Sequence, residues 1–107
     1  MTTFAGITPT TPLNPLIDHS GSIVAGNSAQ QLMAANGNRR YLFIQNISDT
    51  VMWINFGTTA VGDQPSIPLA TNGTFSSIFT MENSFVCYDT ISIFCASTGK
   101  KFVAKEA

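Results

Sequence analysis

The sequence predicts an all-β protein: a single β-sandwich or jelly roll of about eight short antiparallel strands, preceded by an extended N-terminal arm. Three observations support this fold class. Thr, Ser and Asn, which favour strands and turns, make up 31 of the 107 residues, whereas charged residues make up only 10%. Turn signals recur about every ten residues. No stretch carries helical periodicity long enough for a βαβ unit.

The length of the chain suits one domain with one core. We expect the arm to cover residues 1–21 and the sandwich to cover residues 22–107. Three prolines in the arm, Pro9, Pro12 and Pro15, disfavour a helix or a central strand. The arm also carries apolar side chains that suit a groove on a neighbouring molecule: Phe4, Ile7, Leu13, Leu16 and Ile17. A disordered tail is the alternative.

Runs of β-branched and aromatic residues between turn signals predict the strands. Besides two strands within Arg39–Gly57, they are Ser22–Ala25, Ala29–Ala34, Ser66–Ala70, Thr74–Phe79, Phe85–Tyr88, Ile91–Ala96 and Lys101–Ala104. Ala29–Ala34 also fits a single helical turn. Pro68 confines its strand to an edge or a bulge, and Asn72-Gly73 predicts a hairpin turn.

The central stretch Arg39–Gly57, RRYLFIQNISDTVMWINFG, predicts an antiparallel hairpin around the loop Ser48-Asp49-Thr50. This register opposes three pairs on one nearly apolar face: Leu42 with Phe56, Ile44 with Ile54, and Asn46 with Met52. The other face is mixed and holds Tyr41, Phe43, Gln45, Ile47, Val51, Trp53 and Asn55. A two-residue loop would shift the pairing by one residue and scatter both sets.

The two cysteines are expected to be reduced and buried. A two-residue turn at Asp89-Thr90 would place the sulfurs of Cys87 and Cys95 on opposite faces of a hairpin. A disulfide would then be out of reach.

Charge and hydropathy exclude two classes of partner. The net charge of −1 leaves no basic patch for duplex nucleic acid. No apolar run approaches the length of a membrane span, and the start MTTFAGITPTT lacks a signal-peptide pattern. We therefore expect synthesis in the cytoplasm, with neither nucleic acid nor membrane as a partner. A weakly charged surface suits a protein that stays docked on other proteins, although a polar soluble domain fits it too.

The residue types offer no catalytic set, so we expect no enzyme activity, metal or other cofactor. His19 is the one histidine, and its sequence neighbours Asp18 and Ser20 do not converge on it as the members of a triad do. One histidine with Cys87 and Cys95 makes no recognisable zinc spacing. Most carboxylates stand at predicted turns, where Asp serves local hydrogen bonds.

Residues around the predicted hairpin are candidates for an interface. Trp53, with Tyr41 and Phe43 on the mixed face, suits a stacking platform for sugar or single-stranded nucleic acid. The more common role of such a cluster is a second core layer or a protein interface. Arg39 and Arg40 fit either an interface anchor or a solvated strand end.

The stretch NRRYLFIQNISDTVMWINFG resembles a group of small virion proteins of tailed bacteriophages. The similar features are the Arg-Arg-hydrophobic start, the Ile-Gln-Asn-x-Ser-Asp-Thr turn and the closing Asn-Phe-Gly. The resemblance continues through Ile67-Pro68-Leu69 and Asn72-Gly73-Thr74-Phe75 to the turn Ala96-Ser97-Thr98-Gly99-Lys100. It does not cover the arm, and it implies no catalytic residues.

The length and all-β character also resemble the cement or decoration proteins that clamp capsid subunits. This resemblance implies a structural virion protein that binds across neighbouring capsid subunits and stabilises the head. Its partner would be the major capsid protein, and it would form a homo-oligomer on the particle. A tail or head-fibre component and a receptor- or glycan-binding β-module are the alternatives.

Overall fold

A computed structural model describes residues 14–107, and in this range the all-β sandwich is confirmed. Two short 3₁₀ turns, Phe75–Ser77 and Asn83–Phe85, accompany the strands. The strands are β1 (Ile17–Asp18), β2 (Gly21–Ser22), β3 (Gln30–Met33), β4 (Tyr41–Asn46), β5 (Met52–Phe56), β6 (Ile67–Leu69), β7 (Ile78–Glu82), β8 (Ile91–Cys95) and β9 (Lys101–Glu106).

The strands form two antiparallel sheets. Sheet A has the order β1-β9-β4-β7, with β2 also paired to β9, and sheet B has the order β3-β8-β5-β6. Apart from β1–β2 and β5–β6, successive strands in the described range lie in different sheets. The chain therefore crosses the core repeatedly, and each strand pairs mostly with partners that are distant in sequence.

The predicted central hairpin is wrong, because β4 and β5 belong to different sheets. Ile44 on β4 pairs with Phe79 on β7 and Ala104 on β9, whereas Ile54 on β5 pairs with Ile67 and Ile93. The prediction of which residues face the core is nevertheless confirmed for five of the six. Leu42, Ile44, Asn46, Met52 and Ile54 are buried, and Phe56 is half-buried.

Asn46 explains why this connection crosses between the sheets. Its buried amide nitrogen donates to the carbonyl oxygens of Thr50 and Leu69, at 2.8 and 3.1 Å. Its side-chain oxygen accepts from the backbone N–H and the hydroxyl of Ser48, at 2.9 and 2.7 Å. The loop is thereby tied to β6 of sheet B rather than closed as a hairpin, and no polar atom of this buried amide lacks a partner.

Other local expectations also differ from the structure. The Asn72-Gly73 turn exists, with Gly73 at φ +96°, but it leads from β6 in sheet B to β7 in sheet A instead of closing a hairpin. Phe85–Tyr88 is not a strand, so the predicted Asp89-Thr90 hairpin does not form. Of Ser22–Ala25, only Ser22 is in a strand. By contrast, the strand at β3 and the edge position of Pro68 on β6 are confirmed.

Both cysteines are free thiols, as expected. Cys95 is buried on β8, whereas Cys87 is half-buried in the connection that precedes β8. Only Cys95 therefore matches the expectation of a buried side chain.

The segment at residues 17–22, which was expected to end the arm, is hydrogen-bonded along β9. Ile17 pairs with Glu106 and Ser22 pairs with Lys101 in one constant register. The N–H of His19 donates to the carbonyl oxygen of Ala104 at 2.7 Å. This part of the chain is an edge of sheet A.

The core lies between the two sheets and contains apolar side chains from both of them. Leu42 and Ile44 from sheet A, and Met52, Ile54 and Ile93 from sheet B, are each 0% exposed. Burial of a side chain of this size contributes about 1.5–3 kcal/mol. The apolar faces of β4 and β5 thus meet across the sandwich rather than side by side.

We expect Ile44→Ala to lower the free energy of unfolding by about 2–5 kcal/mol, because it leaves a cavity in the core. Ile47→Ala is the matched control, since Ile47 is 38% exposed just beyond β4. The control should lose less than about 1 kcal/mol. Urea denaturation measures both values, and equal losses would contradict the placement of the core.

Candidate functional site

The most elaborate polar arrangement in the described residues is a buried network around Arg39, at one end of the sandwich. Arg39 lies just before β4 and is 0% exposed. Its Nε donates to Oε1 of Glu106 at 2.9 Å. Its other guanidinium nitrogens donate to the carbonyl oxygens of Cys87 at 2.7 Å, Asp89 at 3.1 Å and Ala34 at 2.8 Å. One side chain therefore connects three segments that are far apart in sequence.

Glu106, near the end of β9, extends this network to the N-terminal edge of sheet A. Its Oε1 also accepts from the side-chain amide of Asn36 at 3.0 Å. Its Oε2 lies 2.6 Å from Nε2 of His19. The side chain is buried because Glu106 follows Phe102 and Ala104 on the inward face of β9.

Burial by itself would raise the pKa of Glu106, but its partners outweigh this effect. Hydrogen bonds with Asn36, Arg39 and His19, together with the positive charge of Arg39, hold the pKa of Glu106 below its ordinary value of 4.5. Both carboxylate oxygens are occupied by groups of the same chain. The arrangement is thus suited to holding segments together.

The network also positions His19. Its ring is held by Glu106, and its backbone N–H donates to the carbonyl oxygen of Ala104. Asp18 does not contact the ring as a triad acid would. It lies 3.5 Å from Nζ of Lys105, and its pKa is lowered mainly by hydrogen bonds from Ser20.

The structure separates the interface residues predicted from the sequence. Leu16 and Ile17 are 59% and 44% exposed at the β1 edge. Arg39 is neither an interface anchor nor a solvated strand end, because it is buried among groups of its own chain, whereas Arg40 is exposed. Three of the predicted residues lie outside the described range, namely Phe4, Ile7 and Leu13.

The predicted aromatic platform is not assembled. Tyr41 and Phe43 are half-buried on the outer face of sheet A, because the alternate residues of β4 face the core. Trp53 lies on the outer face of sheet B, where it pairs with Pro68 and Phe94. The three rings of the predicted cluster are therefore on opposite sides of the sandwich.

Two exposed phenylalanines were not among the predicted interface residues. Phe75 is 97% exposed and Phe85 is 84% exposed, and each lies in a 3₁₀ turn beside β7. Both were expected within strands, where alternation gives half the side chains a covered face. The signal that distinguishes them is a lone aromatic residue among turn formers, Thr74-Phe75-Ser76-Ser77 and Asn83-Ser84-Phe85.

Several open depressions with mostly uncharged linings lie on the described surface. One of about 360 Å³ lies between β3 and the segment after β5, and its lining includes Gln31, Thr58 and Ser92. The Ser92 hydroxyl donates to the carbonyl oxygen of Thr58 and accepts from the N–H of Ala60. It is thus used both as a hydrogen-bond donor and as an acceptor. Ser92 is therefore engaged within the chain and is not available as a nucleophile in this depression.

Within residues 14–107, no group of three His, Cys, Asp or Glu side chains is placed to hold a metal ion. Nor does this part of the chain contain a helix long and apolar enough to cross a membrane.

Comparison with known proteins gives no assignment: no protein-family model, curated protein or solved structure matches the chain. The functional argument therefore depends on the geometry of residues 14–107 and on the residue patterns of the sequence.

We expect Arg39→Met to lower the free energy of unfolding by about 3–5 kcal/mol, because it leaves the buried Glu106 carboxylate without its cation. Arg40→Met is the matched control and should change stability by less than about 0.5 kcal/mol, since Arg40 is exposed. Urea denaturation at neutral pH measures both. Similar losses in the two variants would contradict the structural role of Arg39.

The lowered pKa of Glu106 makes part of the stability depend on pH. Its contribution is fully present above the ordinary carboxylate pKa of 4.5 and is lost as pH falls through the lower pKa of the folded protein. We therefore expect Glu106→Gln to be less stable than the unmodified chain at pH 7, with the difference shrinking below about pH 4. Urea denaturation over this pH range is the measurement, and a difference that stays constant would contradict the assignment.

Proposed function

We propose that the chain is a structural protein of a tailed-bacteriophage virion, made in the host cytoplasm, that binds across neighbouring capsid subunits and stabilises the head. The resemblance of residues 38–101 to small phage virion proteins supports the virion assignment. The low charge of the chain and its exposed apolar side chains support a binding role. The partner is the major capsid protein, and neither a cofactor nor catalysis is part of the proposal.

The observation that carries the binding role is the pair Leu16 and Ile17, which are 59% and 44% exposed on a backbone that is held in place. Ile17 pairs with Glu106, and the following His19 is fixed through both its backbone and its ring. A partner that covers these side chains would gain apolar burial. The segment around Leu16 and Ile17 would lose little backbone freedom on binding, because it is already ordered.

The remaining surface is compatible with a protein partner. Charged residues make up only 10% of the chain. A large contact can therefore form without the cost of burying many charged side chains. Several large apolar side chains in the described range are also exposed: Ile47, Val51, Val61, Phe75, Ile78, Phe85 and Tyr88. These features favour a docking protein over a self-contained enzyme.

The glycan-binding alternative is supported less well. A sugar platform needs aromatic rings that converge on one surface, but Trp53 lies on the side of the sandwich opposite Tyr41 and Phe43. Trp53 is also half-buried.

The double variant Leu16→Ser/Ile17→Ser tests this proposal. We expect it to bind capsids about tenfold or more weakly, because docking no longer buries the two apolar side chains. Its melting temperature should change little, since both side chains are exposed and neither belongs to the core. The measurement is occupancy on purified phage particles, quantified by mass spectrometry against the major capsid protein.

Val24→Ser is the matched control, because Val24 is 77% exposed but lies on the β2–β3 connection. It should leave occupancy unchanged. If the unmodified chain is absent from purified particles, the virion assignment is wrong. If the double variant occupies capsids as well as the control does, the docking role of Leu16 and Ile17 is wrong.

A further inference from the structure

β7 is the edge of sheet A opposite β1, and in the described part of the chain it pairs with β4 on one side only. The N–H of Asn83 donates to the carbonyl oxygen of Arg40 at 2.9 Å, so Asn83, just after β7, directs its backbone towards the β4 side and not to the open edge. Hydrogen-bonded and non-hydrogen-bonded pairs alternate along an antiparallel ladder. Every second residue of β7 therefore directs its backbone groups to the open edge. These residues are Ile78, Thr80 and Glu82.

Within residues 14–107, this edge lacks several common protections against pairing with another strand. Proteins commonly block an open edge with a proline, a bulge or several charges. β7 has the sequence IFTME, without proline and with one charged side chain, and its register with β4 is uninterrupted. Its central residue, Thr80, is exposed.

The two most exposed large apolar side chains of the described range flank this edge symmetrically. Phe75 lies three residues before β7 and is 97% exposed, and Phe85 lies three residues after it and is 84% exposed. Aromatic residues are enriched at protein–protein interfaces, so these two rings are candidates for a contact with another protein.

We propose that β7 pairs antiparallel with β7 of a second copy of this chain, about a two-fold axis at Thr80. The register is self-complementary. Thr80 opposes Thr80 of the second copy, and Ile78 opposes its Glu82, so the two glutamates are not placed opposite one another. At each end of the interface, this register places Phe75 of one copy opposite Phe85 of the other copy. A two-fold interface requires this kind of reciprocity.

The backbone groups suit this pairing. The N–H of Ile78 already donates to the carbonyl oxygen of Phe75 within the 3₁₀ turn. The N–H groups of Thr80 and Glu82 remain directed to the edge, opposite the carbonyl oxygens of Thr80 and Ile78 of the second copy. The dimer would join the two A sheets into one continuous sheet.

The surface beside Phe75 provides room for the incoming ring. An open depression of about 430 Å³ lies there, and Gln45, Phe75 and Ile78 contribute to its lining. Phe85 of the second copy reaches this end of β7 in the proposed register. Two paired five-residue strands bury only a small area by themselves. Aromatic contacts at both ends of the strands would enlarge the interface.

The inference does not depend on the proposed function, because it concerns self-association in solution and uses the opposite edge of sheet A. Analytical ultracentrifugation over a range of protein concentrations should show a reversible dimer. Thr80→Lys should shift the equilibrium to monomer, since it places two positive charges against each other at the axis. Val24→Lys adds the same charge at a distant exposed position and should still dimerise.

Cross-linking tests the register itself. In a background with Cys87→Ser, Thr80→Cys should oxidise to a covalent dimer, because opposed residues of such a pair have Cα atoms about 5.5 Å apart, within disulfide range. Val24→Cys in the same background is the control and should stay monomeric under denaturing, non-reducing conditions. The proposal is overturned by a chain that is monomeric at every concentration. A Thr80→Lys variant that still dimerises, or a Thr80→Cys variant that does not cross-link, would overturn it as well.

Discussion

Arg39 and Glu106 form a buried ion pair at one end of the sandwich, with Nε and Oε1 2.9 Å apart. The cost of burying two charges is offset only when their remaining hydrogen-bonding groups also have partners. For Arg39, these partners are the carbonyl oxygens of Ala34, Cys87 and Asp89. The pair joins the connection before β4, the connection before β8 and the end of β9. The connection before β4 and the end of β9 also meet in the β4–β9 ladder of sheet A, whereas the connection before β8 leads into sheet B. We therefore infer that the pair determines how this end of the two sheets closes.

The same pair governs the N-terminal edge of sheet A. Glu106 holds the His19 ring, and the backbone of His19 is bound to β9, so β1 is fixed while Leu16 and Ile17 keep exposed side chains. The other edge, β7, has no such closure in the described chain. Sheet A thus has one edge of two-residue strands beside exposed apolar side chains and one edge formed by an uninterrupted five-residue strand. Both proposals, capsid docking and dimerisation, follow from this difference between the edges.

Composition and recurring turn signals were enough to predict the fold class. Alternation of apolar and polar residues predicted most of the inward-facing positions of β4 and β5, because period two follows from strand geometry. It could not predict the partners of β4 and β5, since a hairpin and a crossing between sheets bury the same alternate residues. Alternation also did not identify Arg39 as a buried residue, for a related reason. Continuing the alternation of β4 backwards would place Arg40 inward, but the strand begins only at Tyr41, and Arg39 is the buried residue. The sequence predicts that the last strand ends at Ala104, whereas it continues to Glu106, so Glu106 was not identified as an inward-facing residue. Phe75 and Phe85 lie in 3₁₀ turns where the sequence predicts strands, so their exposure was not identified either.

The organising role of the buried pair is tested most directly by a double-mutant cycle of Arg39→Met and Glu106→Gln, with the free energy of unfolding measured at pH 7. Residues in one buried network typically show an interaction energy of about 0.5–3 kcal/mol. If the two side chains act as a unit, the double variant should lose at least about 1 kcal/mol less than the sum of the single losses. Losses that add to within about 0.5 kcal/mol would contradict the account, because they would mean that the two groups stabilise the sandwich independently.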